Sequence, residues 1–276
     1  MKRALGLVLS LLIFSIFANA QNVTTGKEIY RISKNGITQI KSGQNIRGTG
    51  FIISADGLIV TANHVVTTPE SNFRKYAPNL GAVVIKDGVA RLYHAAPIST
   101  DISDDQVNFD TALLKVDISG LQSLTLGDWK EVDIGDPLTI IPWLPDIGMP
   151  LITGTVSNTG TAQTILGNKL VNTIMFQAPV RGGFSGSPLF GPNGHVVGIV
   201  TTKLYGISPD LDSLRKQLNQ SSANVSVVLQ GANFATTVIS LINTLDEGLV
   251  SGLGTAVDIG YAKRMQQDQK KPATQH

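Results

Sequence analysis

The chain has 276 residues with 22 Lys+Arg, 20 Asp+Glu, 42% hydrophobic residues, 28 Gly, 12 Pro and no Cys. This excludes a disordered chain, a coiled coil and a disulfide-stapled miniprotein, and a net charge of +2 gives no electrostatic case for binding nucleic acid. The low charged fraction with abundant Gly, Val, Ser and Thr points to a mostly β protein rich in turns.

Lys2 and Arg3 precede an apolar run from Ala4 to Phe17, and Ala18-Asn19-Ala20 sets small residues where a signal peptidase reads. Residues 1–20 are therefore read as a signal peptide cleaved after Ala20. Its loss leaves basic and acidic residues in equal number, so neither an anionic membrane nor nucleic acid is an expected partner. An exported chain without cysteine fits a bacterial periplasmic or secreted protein, and no membrane association is expected after cleavage.

Glu28 to Ile40 alternates about Lys34-Asn35-Gly36 and reads as a hairpin, since Asn-Gly is a strong two-residue turn signal. Gly50 to Ser54 and Leu58 to Thr61 form a second hairpin around Ala55-Asp56-Gly57. Val83 to Tyr93 forms a third around Asp87-Gly88, and Thr111 to Val116 is a short apolar strand. Gly120 to Asp136 is turn-rich and reads as a linker. Beyond it, Leu138–Ile141, Ile152–Val156, Val171–Gln177, Pro188–Phe190 and Val196–Thr201 repeat the style. Two successive sets of short strands predict two packed antiparallel β-barrels, residues 21–125 and 126–245, the second with a C-terminal helix. Ser208-Pro209 opens a helix with Leu211, Leu214 and Leu218 on one stripe, and Thr237 to Leu245 reads as another. Residues 246–276 are expected to be a partly disordered tail, with nothing to bury from Tyr261 onward.

Three segments carry chemistry. In Arg181-Gly182-Gly183-Phe184-Ser185-Gly186-Ser187-Pro188 a serine sits among glycines at the head of an apolar strand. Those glycines let the chain turn tightly and let the Gly183 and Ser185 amides converge on one spot, as a nucleophile with an oxyanion hole requires. His64 lies just past a strand after the small Ala62, suited to taking a proton from a hydroxyl. Asp110 begins the apolar strand and would orient a histidine and stabilise its cation, although Asp101, Asp104 and Asp105 compete for that role. Each segment alone has a bland reading as a turn, a surface histidine or a strand-end acid. The order His, Asp, Ser, each at a strand terminus, argues against the α/β-hydrolase layout, where Ser comes first within Gly-x-Ser-x-Gly. His94, His195 and His276 lack carboxylates at ligand spacing, so no metal and no cofactor are expected.

With these segments in place the chain resembles the trypsin-like serine peptidases, and within them the bacterial high-temperature-requirement (Htr) kind. The likeness lies in Gly48 to Val66, Asp110 to Val116, Gly135-Asp136-Pro137-Leu138 and Phe176 to Thr201. A fainter match, Gly231-Ala232-Asn233-Phe234-Ala235, is similar to that family's last strand. The resemblance implies a double β-barrel with the site between the barrels, and hydrolysis of peptide bonds in polypeptide substrates through an acyl-enzyme on Ser185. His64 would be general base and acid, Asp110 its orienter, and the amides of Gly183 and Ser185 the oxyanion hole. It also implies a substrate pocket with Pro179 at its base and Thr201, Thr202 and Lys203 along its wall, with no acid placed to bind Arg or Lys side chains.

The sequence departs from the family at Phe184, where an ion-pairing Asp or an Asn is usual, at Ser187, where Gly is usual, and at Pro142-Trp143-Leu144-Pro145, which reads as a rigid loop. Phe184 therefore leaves two readings of the oxyanion loop, intact or spoiled. The first makes the chain an exported serine endopeptidase without the PDZ domain that often follows in the Htr kind, since too few residues follow Leu245 to form one. The second makes it a non-catalytic protein-binding module on the same scaffold. The insert from Ser208 to Leu218 reads as a lid over the pocket wall or as a surface excursion, and a homo-oligomer stays open.

Overall fold

A computed structural model describes residues 24–70, 73–98, 102–164, 166–203, 209–221, 228–229, 232–248 and 251–269. The expected signal peptide, Asp101 and Ser208 lie outside the described residues.

Helix α1 (Gly26–Ser33) and a short 3-10 turn (Lys34–Gly36) precede β1 (Ile37–Ser42), β2 (Asn45–Ser54) and β3 (Leu58–Thr61). A one-turn helix, α2 (Asn63–Val66), leads to a hairpin of β4 (Thr67–Glu70) and β5 (Phe73–Tyr76), then β6 (Leu80–Lys86), β7 (Val89–Pro97), α3 (Asp104–Asn108) and β8 (Ala112–Val116). Strands β1-β2-β3-β8-β7-β6 close the first antiparallel barrel.

The second half contains β9 (Pro137–Ile140), β10 (Ile152–Gln163), β11 (Leu170–Val180), β12 (Pro188–Phe190) and β13 (Val196–Lys203). An insert of α4 (Pro209–Ser221), β14 (Val228–Leu229), β15 (Ala232–Asn233) and α5 (Phe234–Gly248) separates these from β16 (Ser251–Asp258) and α6 (Gly260–Gln269). The order β10-β11-β16-β13-β12-β9 closes the second barrel, so the expectation of a mostly β double barrel holds.

The unbroken apolar runs follow from burial on both faces of a strand. Along β2 and β3, Ile52 and Ile59 fill the first barrel, while Phe51, Ile53, Leu58 and Val60 point the other way. In the second barrel Val197, Val200 and Ala256 face inward, and Val196, Ile199 and Val257 face out. The two outward sets meet in one apolar seam between the barrels, which also takes in Ile29, Ile259, Tyr261 and Ala262. The 120–136 linker crosses this seam, with Leu124 N–H donating to Ile52 O at 2.8 Å and Gly127 N–H to Val196 O at 2.9 Å.

Three expectations are corrected. Residues 28–36 are helical, with Thr25 capping the Glu28 N–H, rather than one arm of a hairpin. Gly36 has no positive φ, and it is glycine because a Cβ there would sit 2.6 Å from Leu124 Cδ2. Gly231 lies outside the described residues, and Ala232–Ala235 do not supply the last strand of the barrel: among the described residues β15 pairs with β14 alone, and α5 begins at Phe234. That strand is β16, which fills the gap between β11 and β13 with Val257 opposite Thr173 and Ile199. The second barrel thus runs past residue 245, and the expected 246–276 tail holds a core strand and a docked helix. Tyr261 is buried because its ring stacks on Phe109 at 3.9 Å and its hydroxyl accepts the Asn172 N–H at 2.8 Å.

Candidate active site

His64 enters the cleft on α2, directly after β3 has delivered the buried Ala62 to the barrel rim. Asp110 sits at the foot of β8 after α3, a helix closed by a capping box in which Ser103 and Gln106 bond each other's N–H groups. Asp104 and Asp105 occupy the first turn of that helix, where its dipole favours acids, and this separates them from the orienting role. The chain then turns through Asp110 at φ +46°, a left-handed conformation uncommon outside glycine, and buries its carboxylate fully. One carboxylate oxygen accepts the His64 backbone N–H at 2.9 Å, and the other lies 2.8 Å from His64 Nδ1. Since a carboxylate can only accept, the neutral imidazole carries its proton on Nδ1 and has its lone pair on Nε2.

Two half-buried arginines lie beside this pair. The Arg74 guanidinium bonds the Thr67 hydroxyl at 2.8 Å, and Arg47 donates to Thr67 O at 2.8 Å and to Val65 O. Burial lowers the pKa of both, Arg74 also pressing on Arg47, whereas the charge of Asp110 acts to raise that of Arg74.

Ser185 approaches from the second barrel. Gly186 has φ +82°, and a Cβ there would lie 2.0 Å from Thr49 O and 2.3 Å from Thr61 Oγ1, so only glycine lets this loop press against the first barrel. The same Cβ would lie 3.1 Å from the Ala62 nitrogen, two residues before His64. Ser185 O accepts the Thr49 N–H at 2.9 Å, and Ser185 Oγ is bonded to Thr201 O at 3.4 Å rather than to His64. Among the described residues the N–H groups of Gly183 and Ser185 have no partner, and Gly183 stands at φ +91°.

Phe184 is buried among the apolar residues of the second barrel with Leu144 and Val180, so its ring points away from the amides on either side. Ser187 is also buried, and its hydroxyl has no partner among the described residues.

The substrate-pocket residues divide. Thr201 lines a cavity of about 140 Å³ with Asn158, Thr173, Met175, Thr255 and Val257, and its hydroxyl lies 3.4 Å from Thr255 Oγ1. Thr202 and Lys203 continue β13 opposite Thr255 and Gly254. Pro179 is exposed at a bulge of β11 and is not on the wall of that cavity, because the register shift between Gln177 and Val180 carries it off the strand pairing. On the other side of the Gly183 turn a cavity of about 370 Å³ is lined by Ile46, Arg47, Pro145, Arg181, Gly182 and Gly183. Arg181 is held there by both carboxylate oxygens of Asp146, at 2.7 and 2.9 Å, and this bond draws the exposed Asp146 carboxyl below its usual range.

Sequence reading gave no role to Thr49, which bonds this loop, or to Arg47, which bonds the His64 turn, and read Trp143, whose N–H bonds Thr49, only as part of a rigid loop. The available signal was Thr49 itself, a polar residue between two glycines in an otherwise apolar strand.

Known proteins align with this arrangement. A probable periplasmic serine endoprotease, DegP-like, of Pseudomonas putida (strain W619) is 32% identical over 158 residues, 55% of this chain and 28% of that protein. The chain thus spans little more than a quarter of the length of that relative. Among solved structures, the HtrA-type protease AlgW with a decapeptide superposes with a TM-score of 0.60 at 18% identity, over 89% of this chain and 67% of that one. The Rv3671c protease from M. tuberculosis in its active form gives 0.56 at 16% identity, over 90% and 86%. At those identities the two structures bear on the fold alone. The profile of the trypsin-like peptidase domain matches residues 48–199, a stretch that runs from the Thr49 strand through His64 and Asp110 to Ser185, and the chain belongs to that family.

Proposed function

We propose that this chain is an exported serine endopeptidase that hydrolyses peptide bonds in polypeptides. The observation that carries the reading is the buried Asp110 carboxylate fixing His64 on the rim of one barrel, against a glycine loop of the other that presents Ser185 and two unengaged amides. Ser185 Oγ attacks the scissile carbonyl carbon while His64 Nε2 takes its proton. The new oxyanion accepts the N–H groups of Gly183 and Ser185. Collapse breaks the C–N bond, with His64 returning the proton to the departing amine, and a water attacks the acyl-serine by the same route. Asp110 stays ionised and stabilises the imidazolium. Thr201 supports one wall of the side-chain pocket, continued by Thr202 and Lys203. Export to the periplasm or beyond is supported by the leader-like first 20 residues and by the periplasmic naming of the Pseudomonas relative.

One observation favours the second reading, a non-catalytic protein-binding module: Ser185 Oγ rests on Thr201 O. Catalytic hydrogen bonds are commonly loose without substrate, and the buried Phe184 leaves the loop intact, so the peptidase reading is preferred. The test is labelling with a fluorophosphonate together with cleavage of β-casein. Wild type is expected to be labelled on Ser185, and Ser185→Ala or His64→Ala to lose on the order of 10⁴- to 10⁶-fold in turnover. An unlabelled, folded wild type that binds casein without cutting it, or a His64→Ala variant that cuts at full rate, would overturn the proposal.

A further inference from the structure

The peptide planes of the Gly183 turn are not equally anchored. The plane joining Gly183 to Phe184 is held at its oxygen by the Thr49 hydroxyl, 2.9 Å away, and at its N–H only by a 3.3 Å bond to Arg181 O. The plane joining Ser185 to Gly186 is held at its oxygen by the Thr49 N–H at 2.9 Å and at its N–H by Val200 O at 2.7 Å. Between them, the Phe184 carbonyl accepts the Ser187 N–H at 2.9 Å, which leaves the Ser185 N–H pointing out. The remaining plane, joining Gly182 to Gly183, has no bond at either end among the described residues. Its N–H is aimed through φ and ψ of Gly183, the two torsions that join it to the plane the Thr49 hydroxyl holds. Thr49 is fully buried, and its rotor is set, because Trp143 N–H fills one lone pair of Oγ1 at 2.9 Å and turns the hydroxyl proton toward Gly183 O.

We infer that Thr49 is a positioning residue for the oxyanion hole: its hydroxyl, supplied by the first barrel, locks the Gly183 turn of the second and aims the Gly183 N–H. The inference rests on the peptidase reading above. A glycine at this turn would otherwise flip its preceding peptide at little cost. One hydroxyl therefore couples the docking of the two barrels to transition-state stabilisation.

The test compares wild type, Thr49→Val and Thr49→Ser by kcat and KM on β-casein and by the rate of fluorophosphonate attack at Ser185. Valine fills the same space without the hydroxyl. It is expected to lower kcat and the labelling rate together by about 10- to 100-fold, short of or matching the ~10²-fold loss of a whole oxyanion donor, with KM within about threefold. Serine is expected to recover most of that rate. A raised KM with unchanged labelling, or a serine variant as slow as valine, would mean a merely structural threonine and overturn the inference. Should valine disturb folding by circular dichroism, Thr49→Ala, which adds no bulk, takes its place, and a full-rate alanine variant overturns it equally. A wild type that neither cuts nor labels brings down the peptidase reading itself, whereas an active wild type with an equally active Thr49→Val variant brings down this inference alone.

Discussion

Ser187 and Asn63, close in the chain to Ser185 and His64, carry buried polar atoms that lack partners among the described residues. A buried hydroxyl without a partner carries its desolvation cost uncompensated, about 1–3 kcal/mol. Ser187→Ala keeps the Cβ and removes that cost, so it is expected to raise stability by about 1 kcal/mol, read from the urea midpoint at unchanged slope. A lower midpoint would mean that the hydroxyl is satisfied in solution. At this scale the three side chains proposed to react were legible as candidates in the sequence, because His64, Asp110 and Ser185 each stand where a strand begins or ends beside small residues. The anchoring role of Thr49 was not, because it depends on a carbonyl 134 residues away. Nor was the exposed place of Pro179, which depends on a bulge that no local pattern encodes.

Among the elements, the strands written as short unbroken apolar runs were readable and the ends of the chain were not. The hairpin signal at Lys34-Asn35-Gly36 was overridden because Gly36 serves close packing against Leu124 rather than a turn. Strand β16 was missed because small residues, Gly252, Gly254, Thr255 and Ala256, replace the large apolar ones that advertise a core strand. Gly254 is glycine because a Cβ would sit 2.6 Å from the Phe176 ring. The end of β16 also carries Asp258, which accepts the Gly260 N–H at 2.7 Å and the Asn172 amide at 3.2 Å. Burial, opposed by these two bonds, leaves its carboxyl raised above the ordinary value. The folded chain therefore binds this proton more readily than the unfolded one, so the group favours folding as pH falls from neutral through its raised pKa, and its ionised form is a burden above it. Asp258→Asn removes the burden, and the Asn172 amide can turn over to present its oxygen. The variant's stability relative to wild type is expected to be highest at pH 7 and to shrink toward pH 4.5, as measured by urea unfolding. A relative stability that does not change with pH would show that Asp258 titrates normally.

For the whole molecule the decisive feature is the seam. Outward residues of both barrels, the linker and the start of α6 share one apolar cluster, and the Phe109–Tyr261 stack, with Arg264 over both rings, ties the last helix to the residue before Asp110. Barrels so joined are expected to unfold together, giving one calorimetric endotherm and coincident urea curves by circular dichroism and tryptophan fluorescence. Two separated transitions would show that the seam is weaker than either barrel. The order in which the chain supplies its strands has a temporal meaning. The first barrel is complete once residue 116 has been delivered, and Ser185 follows 69 residues later, yet the gap between β11 and β13 stays open until the insert has passed and residues 251–258 arrive. In a chain delivered amino end first, Ser185 would be present for some 70 residues of synthesis or threading before its barrel can close. On the peptidase reading proposed above, the ability to cut would then be acquired nearly last.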